Sequence, residues 1–165
     1  MRFIKECRFV DAIAAWGKLE AIGRAGWDAK KLDGSDGLIR AIDFALFYRS
    51  RLLSQLLSGR PVSVHKVEIE PADSSTLILS NRKNTEQWKA SVRDNNQESF
   101  VYYRSLAKSK KPVEGPLICT AQIGGSNGYV DPIIVFDGWH RLAAWTQQLR
   151  RTDYPISAYL ILTKD

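Results

Sequence analysis

The stretch Ile133-Ile134-Val135-Phe136-Asp137-Gly138-Trp139-His140-Arg141-Leu142-Ala143-Ala144-Trp145 constrains this chain more than any other. Four apolar residues read as a short buried strand, a glycine turn follows, and Leu142, Trp145 and Leu149 then share one face of a helix. At such a junction the free amides of the first helical turn and the positive end of the helix dipole converge on one point, which suits an anion. Gly138 lets backbone approach a ligand with no side chain in the way. Arg141 can present a bidentate fork to phosphate oxygens, and His140 a further donor. Trp139, beside the turn, is placed to stack on a base, whereas Trp145 sits at core spacing. Asp137 can cap the helix, take a proton or help hold a divalent metal.

Elsewhere the period of the pattern changes along the chain. Phe9, Ile13, Trp16, Leu19 and Ile22 recur at helical spacing until Gly23 to Gly26 interrupts them. Lys30 to Gly37 reads as a polar loop, with Ser35 or Asp36 capping a second helix that carries Leu38, Ile42, Leu46, Leu53 and Leu56. Gly59 and Pro61 stop it. From residue 62 to Ile69 apolar and polar residues alternate as in a half-buried strand, which leaves His65 exposed. Leu77 to Leu79 gives a short strand, Thr85 to about Asn95 a helix, and Phe100 begins another. Leu117 to Ile123 and Pro155 to Leu162 read as strands. Gly124 to Gly128 is a hairpin turn rather than a phosphate loop, because no Gly-Lys-Ser/Thr follows its glycines. These elements predict an α+β fold: a small mixed sheet with surrounding helices, a helical appendage over residues 1–60 and a phosphate-binding domain over residues 61–165.

Of 165 residues, 44% are hydrophobic and 25% charged, which excludes wholesale disorder. The net charge of +6 favours polyanionic partners. Lys108, Lys110 and Lys111 form a basic tract, either a solvated loop or a patch for a nucleic-acid backbone. Arg82 and Lys83 either reach the phosphate turn or sit on a solvated turn of their own. Glu68 and Glu70 are carboxylates available to a metal or as a base. Cys7 and Cys119 are too few for a disulfide framework or a zinc site and read as reduced structural thiols. No apolar run reaches the roughly 18 residues of a membrane span, and the opening residues lack a secretory pattern, so a cytoplasmic location is expected.

The segment Asp137-Gly138-Trp139-His140-Arg141-Leu142-Ala143-Ala144 resembles the Asp-Gly-x-His-Arg motif of the ParB/sulfiredoxin superfamily. The resemblance spans roughly residues 62 to 162 and implies a small α+β fold that binds ATP, CTP or nucleic-acid phosphates at this turn. The repair branch needs a cysteine where Trp139 stands, so sulfiredoxin activity is not expected. The partition-clamp branch carries a Gly-Glu-Arg-Arg box and a helix-turn-helix domain after it; here the sequence stops at Asp165 and the extra helices come first. The chain is most similar in character to plasmid fertility-inhibition and oncogenic-suppression proteins, for which the resemblance implies ATP binding and hydrolysis with cleavage of transferred DNA.

On that reading Asp137, His140 and Arg141 are catalytic, and Gly138, Trp139, His140 and Arg141 hold the nucleotide. Lys108, Lys110 and Lys111 guide DNA. ATP is the implied cofactor, with a divalent metal, magnesium by preference, beside it. The alternatives are a nucleotide-sensing inhibitor that docks on a DNA-transfer protein through residues 1–60, a clamp-like DNA binder, and a free-serine kinase. The apolar width of the N-terminal helical pair also suggests a homodimer.

Overall fold

The computed structural model describes residues 1–25, 34–81, 83–95, 97–126 and 128–164. Its strands are β1 (Arg2–Cys7), β2 (Pro61–Ile69), β3 (Leu77–Leu79), β4 (Leu117–Ile123), β5 (Tyr129–Asp137) and β6 (Ile156–Thr163). They form one mixed sheet in the order β1-β2-β6-β4-β5-β3. Neighbours run antiparallel except β4 with β6 and β3 with β5, which are parallel. The helices are α1 (Phe9–Ala25), α2 (Gly34–Ser58), α3 (Thr85–Asn95), α4 (Gln97–Lys108) and α5 (Trp139–Gln148). The expected fold class, α+β with a mixed sheet and flanking helices, is the one observed.

Strand side chains alternate between two buried faces, as a period of two requires. Val67, Leu117, Cys119, Val135 and Leu160 point to one face, where Trp88, Tyr103, Leu142 and Trp145 of α3, α4 and α5 cover them. Val64, Ile118 and Ile161 point to the other, against Ala12, Ile13, Trp16, Ala45, Leu53 and Leu56 of α1 and α2. Apolar runs with no polar face, such as Leu160-Ile161-Leu162, follow from burial on both sides.

Several local expectations change. Residues 1–60 are not wholly helical: β1 pairs with β2 at the sheet edge, and Arg2 bonds Glu68 across that pair. Its residues are mostly exposed, and Arg2, Lys5 and Glu6 are charged, as suits an edge strand, so no hydrophobic alternation marked it. Gly23 does not interrupt α1, which runs on to Ala25. The loop expected over Lys30 to Gly37 falls outside the described residues up to 33, while Gly34 to Gly37 already belong to α2, so Ser35 and Asp36 lie in its first turn rather than capping it. His65 is half-buried, 3.0 Å from the Ser63 hydroxyl and edge-on to Phe3. β5 starts at Tyr129, well before the apolar run at Ile133. Gly124 to Gly128 does join β4 to β5 as a hairpin turn, with Gly124 N–H donating to Gly128 O at 3.2 Å.

Both cysteines are free. Cys119 lies fully buried in mid-β4, where burial pushes its thiol far up and removes it as a nucleophile. Among the described residues no helix is long and apolar enough to cross a membrane.

Candidate phosphate-binding site at the turn between β5 and α5

The turn is built as the sequence pattern requires. β5 ends at Asp137, and Gly138 takes the left-handed conformation (φ 94°, ψ 23°) as the N-cap of α5. That conformation favours glycine, and a Cβ there would also stand 2.7 Å from Leu117 Cδ2 and 2.9 Å from Arg141 Nη2, so both side-chain ends would have to shift. Gly138 O accepts the first intrahelical bond, from Leu142 N–H at 2.8 Å. Gly138 has no side chain to cap with, so the N-cap residue itself satisfies none of the first-turn amides.

Asp137 pairs with two arginines. Its Oδ2 lies 3.4 Å from Arg141 Nη2 and its Oδ1 lies 3.6 Å from Arg49 Nη2. One carboxylate thus sits between two guanidinium groups, with side-chain exposures of 16% for Asp137, 13% for Arg141 and 27% for Arg49, so these charges meet in a partly desolvated place where they act strongly. Arg141 Nη2 also donates to Pro116 O at 3.0 Å, while its buried Nε has no protein partner. The arginine is therefore pre-positioned at the mouth of the helix, with one donor still to be satisfied.

Arg49 has no counterpart in the sequence analysis. It lies in α2 where the backbone leaves helical geometry (φ −127°, ψ 18°). In sequence it is one arginine among Arg40, Arg49 and Arg51. Only the packing of α2 on the sheet brings it to Asp137.

His140 packs into an aromatic wall. Its ring meets Trp88 of α3 at 5.1 Å and 85°, and Tyr102 of α4 at 5.6 Å and 63°. Nε2 is buried without a protein partner. Burial, and then the positive charges of Arg141 and Arg49, lower its pKa from the ordinary 6.5. His140 is thus a neutral imidazole at pH 7, able to take a proton but not to act as a fixed cation.

A pH dependence follows. The unfolded chain binds a proton at the ordinary value and the folded chain only at a lower one. His140 therefore costs no stability above about pH 6.5, and stability falls as pH drops below that value until the folded-state pKa is passed. The melting temperature is expected to drop between about pH 7.5 and pH 5 by more in the wild type than in His140→Phe. Equal drops would remove His140 as the cause.

The other expected site residues distribute differently. Trp139 is half-buried against the core, and its indole N–H donates to Val135 O at 3.0 Å, which fixes the orientation of the ring. Trp145 is core, with its N–H on Tyr154 O at 2.6 Å. Lys83 reaches Ser91 Oγ of α3 at 3.4 Å, and Arg82 lies outside the described residues. Glu68 is taken by Arg2, and Glu70 caps a 3-10 turn at Pro71–Thr76. Lys108, Lys110 and Lys111 are all exposed at the end of α4 and just beyond it. That loop is pinned by the buried Gln148, whose Nε2 faces Leu106 O, Ser109 O and Lys111 O at 3.0–3.2 Å.

The residues fit a phosphate group: uncapped amides, two guanidiniums and a glycine that gives room. They do not fit a resident divalent metal. Asp137 is already shared by two cations, and no group of three His, Cys, Asp or Glu side chains able to hold a metal occurs among the described residues. No family model and no curated protein matches the chain.

Proposed function

We propose that this chain binds ATP by its phosphates at the turn between β5 and α5 and hydrolyses it while cleaving transferred DNA, in the manner of the plasmid fertility-inhibition and oncogenic-suppression proteins it resembles. The observation that carries this reading is the convergence of Arg49 and Arg141 on Asp137 at the uncapped start of α5. Phosphate oxygens bound there accept from the first-turn amides and from the Arg141 fork. Asp137 holds both guanidiniums in place before the ligand arrives, so little reorganisation is needed as charge builds on the transferring phosphate. Hydrolysis there adds water to the γ-phosphorus as its bond to the ADP oxygen breaks, and the guanidiniums offset the charge that builds.

The test is turnover. Purified protein incubated with ATP, magnesium and labelled DNA is expected to hydrolyse ATP and cut the DNA, and Arg141→Ala to lower both rates by about 100-fold or more, the range for loss of one donor to a developing anion. Cleavage unchanged in Arg141→Ala would sink the assignment. A second reading, the nucleotide-sensing inhibitor or a homodimer, is favoured by the outer face of α2, where Ile39, Leu46, Phe47 and Leu57 are exposed. ATP binding without turnover in the wild type would select it.

A further inference from the structure

The C-terminal end of α5 joins α3 and α4 around a second concavity, a cleft of ≈ 640 Å³. Its walls carry Lys89, Arg93, Arg104, Lys108, Arg150 and Arg151 against a single carboxylate, Glu86. Three of the six cations are already committed. Lys89 bonds Glu86, Arg93 bonds Asp94 at 2.9 Å, and Arg151 donates to Ala107 O at 2.5 Å. The other three, Arg104, Lys108 and Arg150, are exposed and make no ion pair among the described residues.

Aromatic surface accompanies the charge. Arg104 lies over the Phe100 ring at 5.8 Å and Lys89 over the Tyr103 ring at 5.9 Å, and both rings line the cleft. Like charges gathered in one concavity repel, and an anion that enters relieves that repulsion and releases its counterions. The volume is that of a site taking a small ligand or a short piece of a flexible one. Cationic walls with aromatic rings between them are the pattern of single-strand binding, and a concavity enclosed by three helices admits one backbone more readily than the convex face of a duplex.

We infer that this cleft seats the backbone of a single-stranded nucleic acid, with Arg104, Lys108 and Arg150 as its phosphate ligands. That the strand is DNA rests on the proposed function; the cleft itself does not share residues with the phosphate turn. α4 links the two places, because Phe100, Tyr103, Arg104, Ala107 and Lys108 line the cleft while Tyr102 packs on His140. Of the basic tract Lys108-Ser109-Lys110-Lys111, Lys108 alone is a cleft residue.

Fluorescence anisotropy of a labelled thymidine oligonucleotide tests the inference across a range of salt. The triple variant Arg104→Gln, Lys108→Gln, Arg150→Gln changes exposed side chains only, and its melting curve checks that it folds. It is expected to bind about tenfold more weakly or worse, and to lower the slope of log affinity against log salt by about 2, as three lost single-strand phosphate contacts require. Lys110→Gln with Lys111→Gln is expected to change the affinity by less. Wild-type affinity and slope in the triple variant would overturn the inference even if ATP turnover stands. So would a duplex that binds as tightly as the single strand, or ATP that displaces the strand from the Arg141→Ala protein and thereby marks the cleft as a nucleotide site. Conversely, loss of ATP binding in Arg141→Ala with strand binding intact concerns the turn alone.

Discussion

Gly17→Ala is expected to destabilise this protein by about 3 kcal/mol, the upper end of the usual cost of overpacking. In an exposed helix interior the same change stabilises, by up to about 1 kcal/mol, because alanine loses less backbone freedom on folding than glycine does. Here the sign reverses. Gly17 lies in mid-α1 where α2 crosses it, and a Cβ at that position would stand 1.5 Å from the Ala41 carbonyl oxygen and 2.5 Å from its carbon. The obstacle is backbone, so no rotamer change relieves it, and the two helices must separate. Trp16, Ala41 and Ala45, all buried at this crossing, lose contacts as they do. Denaturant unfolding would show a lower midpoint at an unchanged slope. An unchanged or higher midpoint would mean that α1 and α2 do not approach this closely. Because α2 also carries Arg49, the variant is further expected to lose affinity at the phosphate turn.

Arg49→Ala tests that connection without disturbing the crossing. Deleting one of the two guanidiniums on Asp137 removes a positive charge beside the arriving phosphate and leaves the carboxylate less offset. Hydrogen bonds to charged groups are worth about 1.5–3 kcal/mol, so ATP affinity is expected to fall by about 10-fold to 100-fold. Arg49→Lys keeps the charge but not the planar fork, and an intermediate affinity is expected. Equilibrium titration decides. Wild-type affinity in Arg49→Ala would take α2 out of the site and leave Asp137 and Arg141 as a local pair.

The difference between Arg141 and Arg49 shows what in this fold is legible from sequence. Asp137-Gly138-Trp139-His140-Arg141 stands out because a β period, a glycine and an α period meet within a dozen residues, and each local rule names the same boundary. The sheet was readable for a similar reason, since β2 alternates apolar and polar residues while β4 and β6 carry the short apolar runs of strands buried on both faces. What failed to show depends on tertiary contact. β1 is an edge strand with charged residues, so burial leaves no period in it. Arg49 acquires its role from a helix packing on the opposite face of the sheet from α5. Gln148 is one polar residue on an otherwise apolar helix face, and only the fold shows that it holds the loop carrying Lys110 and Lys111. The orientation of Trp139 has the same cause, since no local rule says that the carbonyl of Val135 accepts from its N–H.

Calorimetric titration of ATP into the wild type and into Arg141→Ala tests the phosphate turn most directly. The account predicts a binding isotherm for the wild type and a loss of affinity of about 100-fold in the variant, with melting temperatures that match closely enough to rule out unfolding. Equal affinities in the two proteins would contradict it, and would move the search for the nucleotide away from the start of α5.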